Sequence, residues 1–164
     1  MALVISDANV LIDIEIGQLT ASMFALPFDI AVPDVLYAQE LSDRHSHLLK
    51  MGLQVKSVNE EHLGKILFWA DKYRRVSRMD LFALGLALQE KAQSLTGDKE
   101  LRKVALLSEV QVHGTIWLVE QMLEEKIIEL GMVEIAFARM KEQGSRLPWN
   151  EIGQKFAAKA IRFS

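Results

Sequence analysis

Leu3-Val4-Ile5-Ser6-Asp7, close to the amino terminus, joins three consecutive large apolar residues to a hydroxyl and a carboxylate. An apolar run without alternation fits a strand buried on both faces, as in a parallel sheet. Asp7 then stands at the carboxyl end of that strand, where the chain is released into a loop. The stretch Gln93-Ser94-Leu95-Thr96-Gly97-Asp98 repeats the arrangement. A short strand again ends in a turn and a carboxylate, and a helix bearing Leu101, Val104 and Ala105 follows.

Between and beyond these stretches, strands and helices alternate. Leu11 to Leu19 has helical spacing, with helix continuing to Phe24 before Pro27, and Asp29-Ile30-Ala31-Val32 fits a second strand. Pro33 and Asp34 suit the first turn of a helix that carries Leu36, Glu40 and Leu41. Leu53 to Val58 alternates with period two, predicting a strand with one solvated face. A helix over Glu60 to Tyr73 follows. Ser77-Arg78-Met79-Asp80 then has capping-box form, and the helix it opens carries Gly85 between Ala83 and Ala87, small enough to lie close against the sheet. Val110-Gln111-Val112 reads as a last strand, and helices are expected from Thr115 to Glu125, Gly131 to Gln143, and Pro148 onward. The pattern predicts an α/β fold with a central parallel sheet of about four to five strands, helices on both faces, and right-handed crossovers. Ligands of such sheets gather beyond the carboxyl ends of the strands.

The 164 residues fit one domain, expected to bury roughly 70% of the unfolded chain's surface. We expect a core at about 1–125 and a helical extension at about 126–164. No linker or internal repeat divides the chain. The absence of cysteine excludes disulfides and thiolate zinc sites. No apolar run approaches the roughly 20 residues of a membrane span, and the first residues lack the basic start of a signal peptide; the chain reads as cytoplasmic, with no membrane partner. The net charge of −3, from 19 basic and 22 acidic residues, gives no global attraction for nucleic acid. Cations cluster locally, at Lys72, Arg74, Arg75 and Arg78, and again at Arg139, Lys141, Arg146, Lys155, Lys159 and Arg162.

Four blocks carry a resemblance: Ser6-Asp7-Ala8-Asn9-Val10-Leu11-Ile12-Asp13, the helical Glu40, Ser77-Arg78-Met79-Asp80-Leu81-Phe82-Ala83-Leu84, and Leu95-Thr96-Gly97-Asp98-Lys99-Glu100-Leu101-Arg102. In this order, from Leu3 to about Thr115, they resemble the PIN domain and, within it, the VapC-type toxin branch. The region after Val112 looks like a variant carboxyl-terminal region. The resemblance implies a three-layer sandwich, an acidic site of Asp7, Glu40, Asp80 and Asp98 holding Mg²⁺ or Mn²⁺, and polar support from Asn9 and Thr96. It also implies endoribonuclease activity as the toxin of a type II toxin–antitoxin pair, with RNA as substrate, an antitoxin as protein partner, and a homodimer as the assembly. A housekeeping RNA-processing nuclease and a catalytically silent PIN-like module that binds nucleic acid or protein stay open as alternatives.

Electrostatics gives the acids a reason to act together. Two unit charges at 4 Å repel by about 4 kcal/mol at an effective dielectric near 20, so a metal-free site should raise one or more carboxyl pKa values. Carboxylate oxygens are hard ligands suited to Mg²⁺ or Mn²⁺. Arg74, Arg75 and Arg78, next to Asp80, are the candidate RNA phosphate contacts. His45 and His47 are two residues apart and would not share a helix face, so no zinc site is read there. No phosphate-binding glycine loop or serine-nucleophile elbow is present. Trp69, Trp117 and Trp149 are read as packing residues.

Overall fold

The computed structural model describes residues 2–163, with side chains described as far as 157, so Lys159 and Arg162 of the second basic cluster lie outside the described side chains. Strand β1 (Ala2–Ser6) runs into helix α1 (Ala8–Ile16), which is capped by the Asp7 side chain. The helix therefore begins directly after the strand and not at Leu11. Helix α2 (Thr20–Phe24) leads to β2 (Phe28–Pro33). Pro33, with φ −62°, is preset to start α3 (Asp34–Leu36), which continues as a π-helical turn over Tyr37–Leu41 that carries Glu40. A short helix unforeseen in the sequence, α4 (His47–Met51), precedes β3 (Gln54–Lys56).

Helix α5 (Glu60–Lys72) starts at Asn59, whose side chain accepts from the His62 N–H, and α6 (Arg78–Glu90) starts at Ser77, whose hydroxyl accepts from the Asp80 N–H. The reading of Ser77 as the N-cap thus holds. Then come β4 (Gln93–Leu95), α7 (Lys99–Leu107) and β5 (Val112–His113), the last shifted from the expected Val110–Val112. Helices α8 (Thr115–Glu124), α9 (Leu130–Glu142) and α10 (Trp149–Phe163) complete the chain.

The five strands form one parallel sheet in the order β3-β2-β1-β4-β5. β1 lies at its centre, with Val4 opposite Ile30 and Gln93, and Ile5 opposite Ala31 and Ser94. That position explains the unalternated apolar run: Val4 and Ile5 are buried because both neighbours are strands and both faces are covered. The order reverses between β1 and β4, and at such a switch point the two flanking loops separate and leave a crevice. Asp7 and Asp98 follow these two strands. The edge strand β3 departs from expectation, since Val55 is exposed while Gln54 and Lys56 are half-buried. Lys56 pairs with Glu90 at 3.5 Å instead of pointing to solvent.

Helix α6 packs on β1, β2 and β4, with α5 against it, and α1 lies among α2, α8 and α9. These make a three-layer α/β sandwich. The apolar cluster is continuous from Val4 to Phe156, taking in Val133, Phe137 and Met140 of α9 and Ile152 of α10. Trp69 is buried; Trp117 stacks on His113 at 3.9 Å, and Trp149 meets Phe137 edge-on. All three tryptophans pack. Gly85 serves a different contact from the one anticipated: a Cβ there would lie 2.5 Å from Ile66 Cδ1 and 2.6 Å from Ile66 Cγ1, so its missing side chain admits α5, not the sheet. Gly85→Val is therefore expected to lose about 1–3 kcal/mol of stability by overpacking, read as a thermal midpoint lowered by roughly 2–4 °C per kcal/mol. An unchanged midpoint would show that Ile66 yields freely.

Candidate active site

Asp7 directly follows the central strand and is 1% exposed. A charge in that position needs hydrogen-bond donors, because burial without them costs several kcal/mol. Three are supplied. Its Oδ1 accepts from the Val10 N–H at 2.9 Å, its Oδ2 accepts from the Thr96 hydroxyl at 2.8 Å, and the Gly97 N–H also favours the charged form. The same Thr96 oxygen accepts from the Asp98 N–H at 3.1 Å. Asp98 Oδ1 in turn caps α7, accepting from Glu100 and Leu101 N–H at 2.8 and 3.3 Å. Thr96 thus ties the two carboxylates across the switch point, and the Asp7 N–H bonded to Leu95 O at 3.0 Å closes the seam.

Asp80 enters from the first turn of α6. Burial raises its carboxyl most; the charge of Asp7 raises it next, the Ser77 hydroxyl opposes, and the charge and side-chain hydrogen bond of Asp98 raise it further, to about 7. Asp7 is pushed up to about 6, first by burial and only weakly by a neighbouring charge, that of Asp13. The upward shift expected of crowded carboxylates is present, although burial contributes more than repulsion. Asp80 therefore lies in the field of both Asp7 and Asp98. Glu40 stands apart from them: its side chain is exposed, and partial burial alone raises its carboxyl. It sits in the π-turn, a rare backbone form that recurs at functional sites, and that turn packs against α1.

Asn9 is exposed on α1 and lines a cleft of about 510 Å³ that also reaches Asp98. Arg74, Arg75 and Arg78 are exposed, and Arg74 spends its charge on Asp71 at 3.4 Å. Arg78 occupies the first position of α6, where a cation opposes the helix dipole and gains nothing structurally. His45 and His47 do converge, but from a loop and the start of α4: His45 Nδ1 and His47 Nε2 contact the two oxygens of Glu15. Among the described residues no three His, Asp or Glu side chains are spaced as a ready-made metal centre.

Asp13 is the neighbour that the sequence reading passed over. It lies on α1 with its carboxyl raised by burial, while the hydroxyls of Ser145 and Thr115 favour its charged form. Asn9, Asp13 and Ile16 are spaced i, i+4, i+7 and all face the cleft. That spacing was visible, but a helix begun at Leu11 leaves Asn9 off it.

The PIN-domain family model matches residues 3–159. The chain belongs to the PIN-domain family. Its fold is similar to that of a PilT N-terminus domain protein, SSO1118, from the hyperthermophilic archaeon Sulfolobus solfataricus P2. That match has 13% identity and a TM-score of 0.50, covering 76% of this chain and 95% of that one. It is also similar to VapBC2 from Rickettsia felis, solved bound to a DNA fragment from their promoter. There the identity is 9% and the TM-score 0.47, over 68% of this chain and 98% of the other. No curated protein matches the sequence. PIN domains are generally nucleases, and within this one the three-carboxylate cluster lies where the sheet topology makes its crevice.

Two predictions follow from the geometry. Thr96→Val removes the hydroxyl shared by Asp7 and the Asp98 N–H, and should cost about 1–3 kcal/mol; denaturant unfolding with an unchanged midpoint would contradict this. For pH, the ordinary carboxyl value is 3.8 and Asp80 titrates near 7 in the fold, so its proton stabilises the metal-free fold. That contribution is complete below about pH 4 and is lost as pH rises through 7. Metal-free Asp80→Asn should melt higher than wild type at pH 8, with the gain vanishing toward pH 4. A pH-independent difference would refute the assignment.

Proposed function

We propose that this PIN-domain chain is a divalent-metal-dependent endoribonuclease acting in the cytoplasm, with Asp7, Asp80 and Asp98 as the core of its Mg²⁺ or Mn²⁺ site. The observation that carries the proposal is the convergence of three carboxylates at the strand switch: Thr96 ties Asp7 to the Asp98 N–H, and Asp80, raised to about 7 by burial first and then by the charges of Asp7 and Asp98, stands beside them. A protein that needed only packing there would gain by replacing one of these acids with an amide. Three oxygen-donor side chains gathered at one rim are relieved by a dication, and such hard donors favour Mg²⁺ or Mn²⁺. A divalent ion held there supplies Lewis-acid stabilisation of the phosphate and an acidified water nucleophile.

The chain's own residues have distinct tasks. Thr96 and the Val10 N–H keep Asp7 charged and fixed in direction, while the α7 cap fixes Asp98. Asp80, whose carboxyl exchanges its proton near neutrality, must lose that proton to bind an ion, so metal affinity should rise with pH. Glu40 is assigned as a fourth ligand acting from the π-turn, and Asn9 as a polar support at the rim. Arg75 and Arg78 are assigned to phosphates of the RNA. We further infer, from the order and content of the four sequence blocks, that the nuclease is the toxin of a type II toxin–antitoxin pair whose antitoxin masks this crevice.

The test is cleavage of single-stranded and structured RNA with Mn²⁺. Asp7→Asn and Asp98→Asn should each remove several kcal/mol of transition-state stabilisation, and so lower the rate at least about a hundredfold, with the fold retained by circular dichroism. Undiminished cleavage in both variants would overturn the site.

A further inference from the structure

The cleft beside the carboxylates is more than an approach to them. Its floor is α1 from Asn9 to Ile16, its inner end is Gly97 and Asp98, and its outer wall is the segment 143–147 between α9 and α10. At about 510 Å³ it is ample for one nucleotide but not for a duplex. Its lining is two-sided in character. Ile16 and Leu147 offer apolar surface of the kind that covers the face of a flat ring. Asp13 and Asn9 offer polar atoms of the kind that pair with a ring's edge. Arg146 stands at the wall with an exposed side chain and no ion pair among the described residues.

Asp13 determines what edge fits. Burial raises its carboxyl, the Ser145 and Thr115 hydroxyls oppose that rise, and in its charged form it accepts only. Ser145 Oγ is out of solvent and makes no hydrogen bond of regular geometry, although it lies close enough to Asp13 to favour the charged form. A carboxylate has about four lone-pair sites, so two hydroxyls leave capacity for an incoming pair of donors. Among the RNA bases guanine alone presents two adjacent N–H donors, N1–H and N2–H, on its Watson–Crick edge. Uracil presents one, flanked by acceptors that a carboxylate repels. Unstacked bases of single strands are read at this edge.

We propose that the cleft is a base pocket for a guanine of the RNA strand adjoining the scissile phosphate, with Asp13 reading its donor edge and Arg146 taking its phosphate. This rests on the ribonuclease reading above. The pocket shares Asp98 with the carboxylate cluster, so a nucleotide seated there places its neighbouring phosphodiester at the metal-binding acids.

The test uses the full chain with Mn²⁺ and a set of short single-stranded RNAs that differ only in having one G, A, C or U at each position in turn. One position is expected at which G raises kcat/KM over U by roughly 5- to 150-fold, the range of one bidentate base contact. Asp13→Asn should flatten that preference while its circular dichroism stays unchanged. Arg146→Ala, at an exposed position, should raise KM for every RNA and reduce the salt slope of binding by about one phosphate, roughly 0.7 for a single strand. If wild type cleaves no RNA under any metal condition, the ribonuclease reading fails and the pocket with it. If cleavage is brisk but G and U substrates react alike, the base pocket alone is overturned. A preference for G that survives Asp13→Asn would likewise place the selectivity elsewhere.

Discussion

A carboxylate buried at the end of the central strand is the constraint on which this molecule is organised. Asp7 cannot be hydrated, so the chain must bring donors to it: the first turn of α1 from one side and Thr96 from the far side of the strand switch. Meeting that demand also aligns β1 with β4, because the Asp7 N–H reaches Leu95 O and Thr96 extends the seam to the Asp98 N–H. The interactions that hold the sheet together at this point are therefore the ones that aim the site. Loss of any one of them is felt in both stability and geometry.

Such an arrangement is consistent locally and frustrated at longer range. Each acid is well placed by itself: Asp7 and Asp98 cap helices, and Asp80 occupies the third position of α6, where helix dipoles favour negative charge. Together they are in conflict: burial first, and then the charges of Asp7 and Asp98, raise the Asp80 carboxyl to about 7. Folds keep such conflicts where function requires them and recover the lost stability elsewhere. Here the recovery is the continuous apolar cluster on both sides of the sheet, which includes the close seating of α5 on Gly85.

Much of this was legible in the sequence because the strongest signals are local. The runs before Asp7 and Asp98 gave buried strands, and Ser77 gave a helix start. Where the reading failed, the deciding contact was distant. Nothing near Val55 announces that an edge strand will expose it, since that depends on what packs against the sheet edge. The π-turn at Glu40 is invisible to a period of 3.6, because the residues are those of an ordinary helix. His45 and His47 converge on Glu15 only after the chain has folded back, a contact that helical spacing within one segment cannot express. Asp13 was missed for a smaller reason: the helix start was placed three residues late, which hid the face shared with Asn9.

The carboxyl-terminal extension shows how a distant contact can shape a site. Segment 143–147 follows α9, which packs against α1, and Gly17 at the end of α1 lies in close contact with α9. Its φ of −72° is open to any residue, so conformational freedom does not explain a glycine there. Space does. A Cβ would stand 2.6 Å from Met140 Cε and 3.2 Å from Ala136 Cβ; the methionine end is able to swing away, but the alanine is fixed to its helix. A larger residue at 17 would push α9 outward and carry the following segment away from Asp13. The cleft beside the carboxylate cluster thus depends on a missing side chain at the opposite end of α1, outside the four acidic blocks of the sequence.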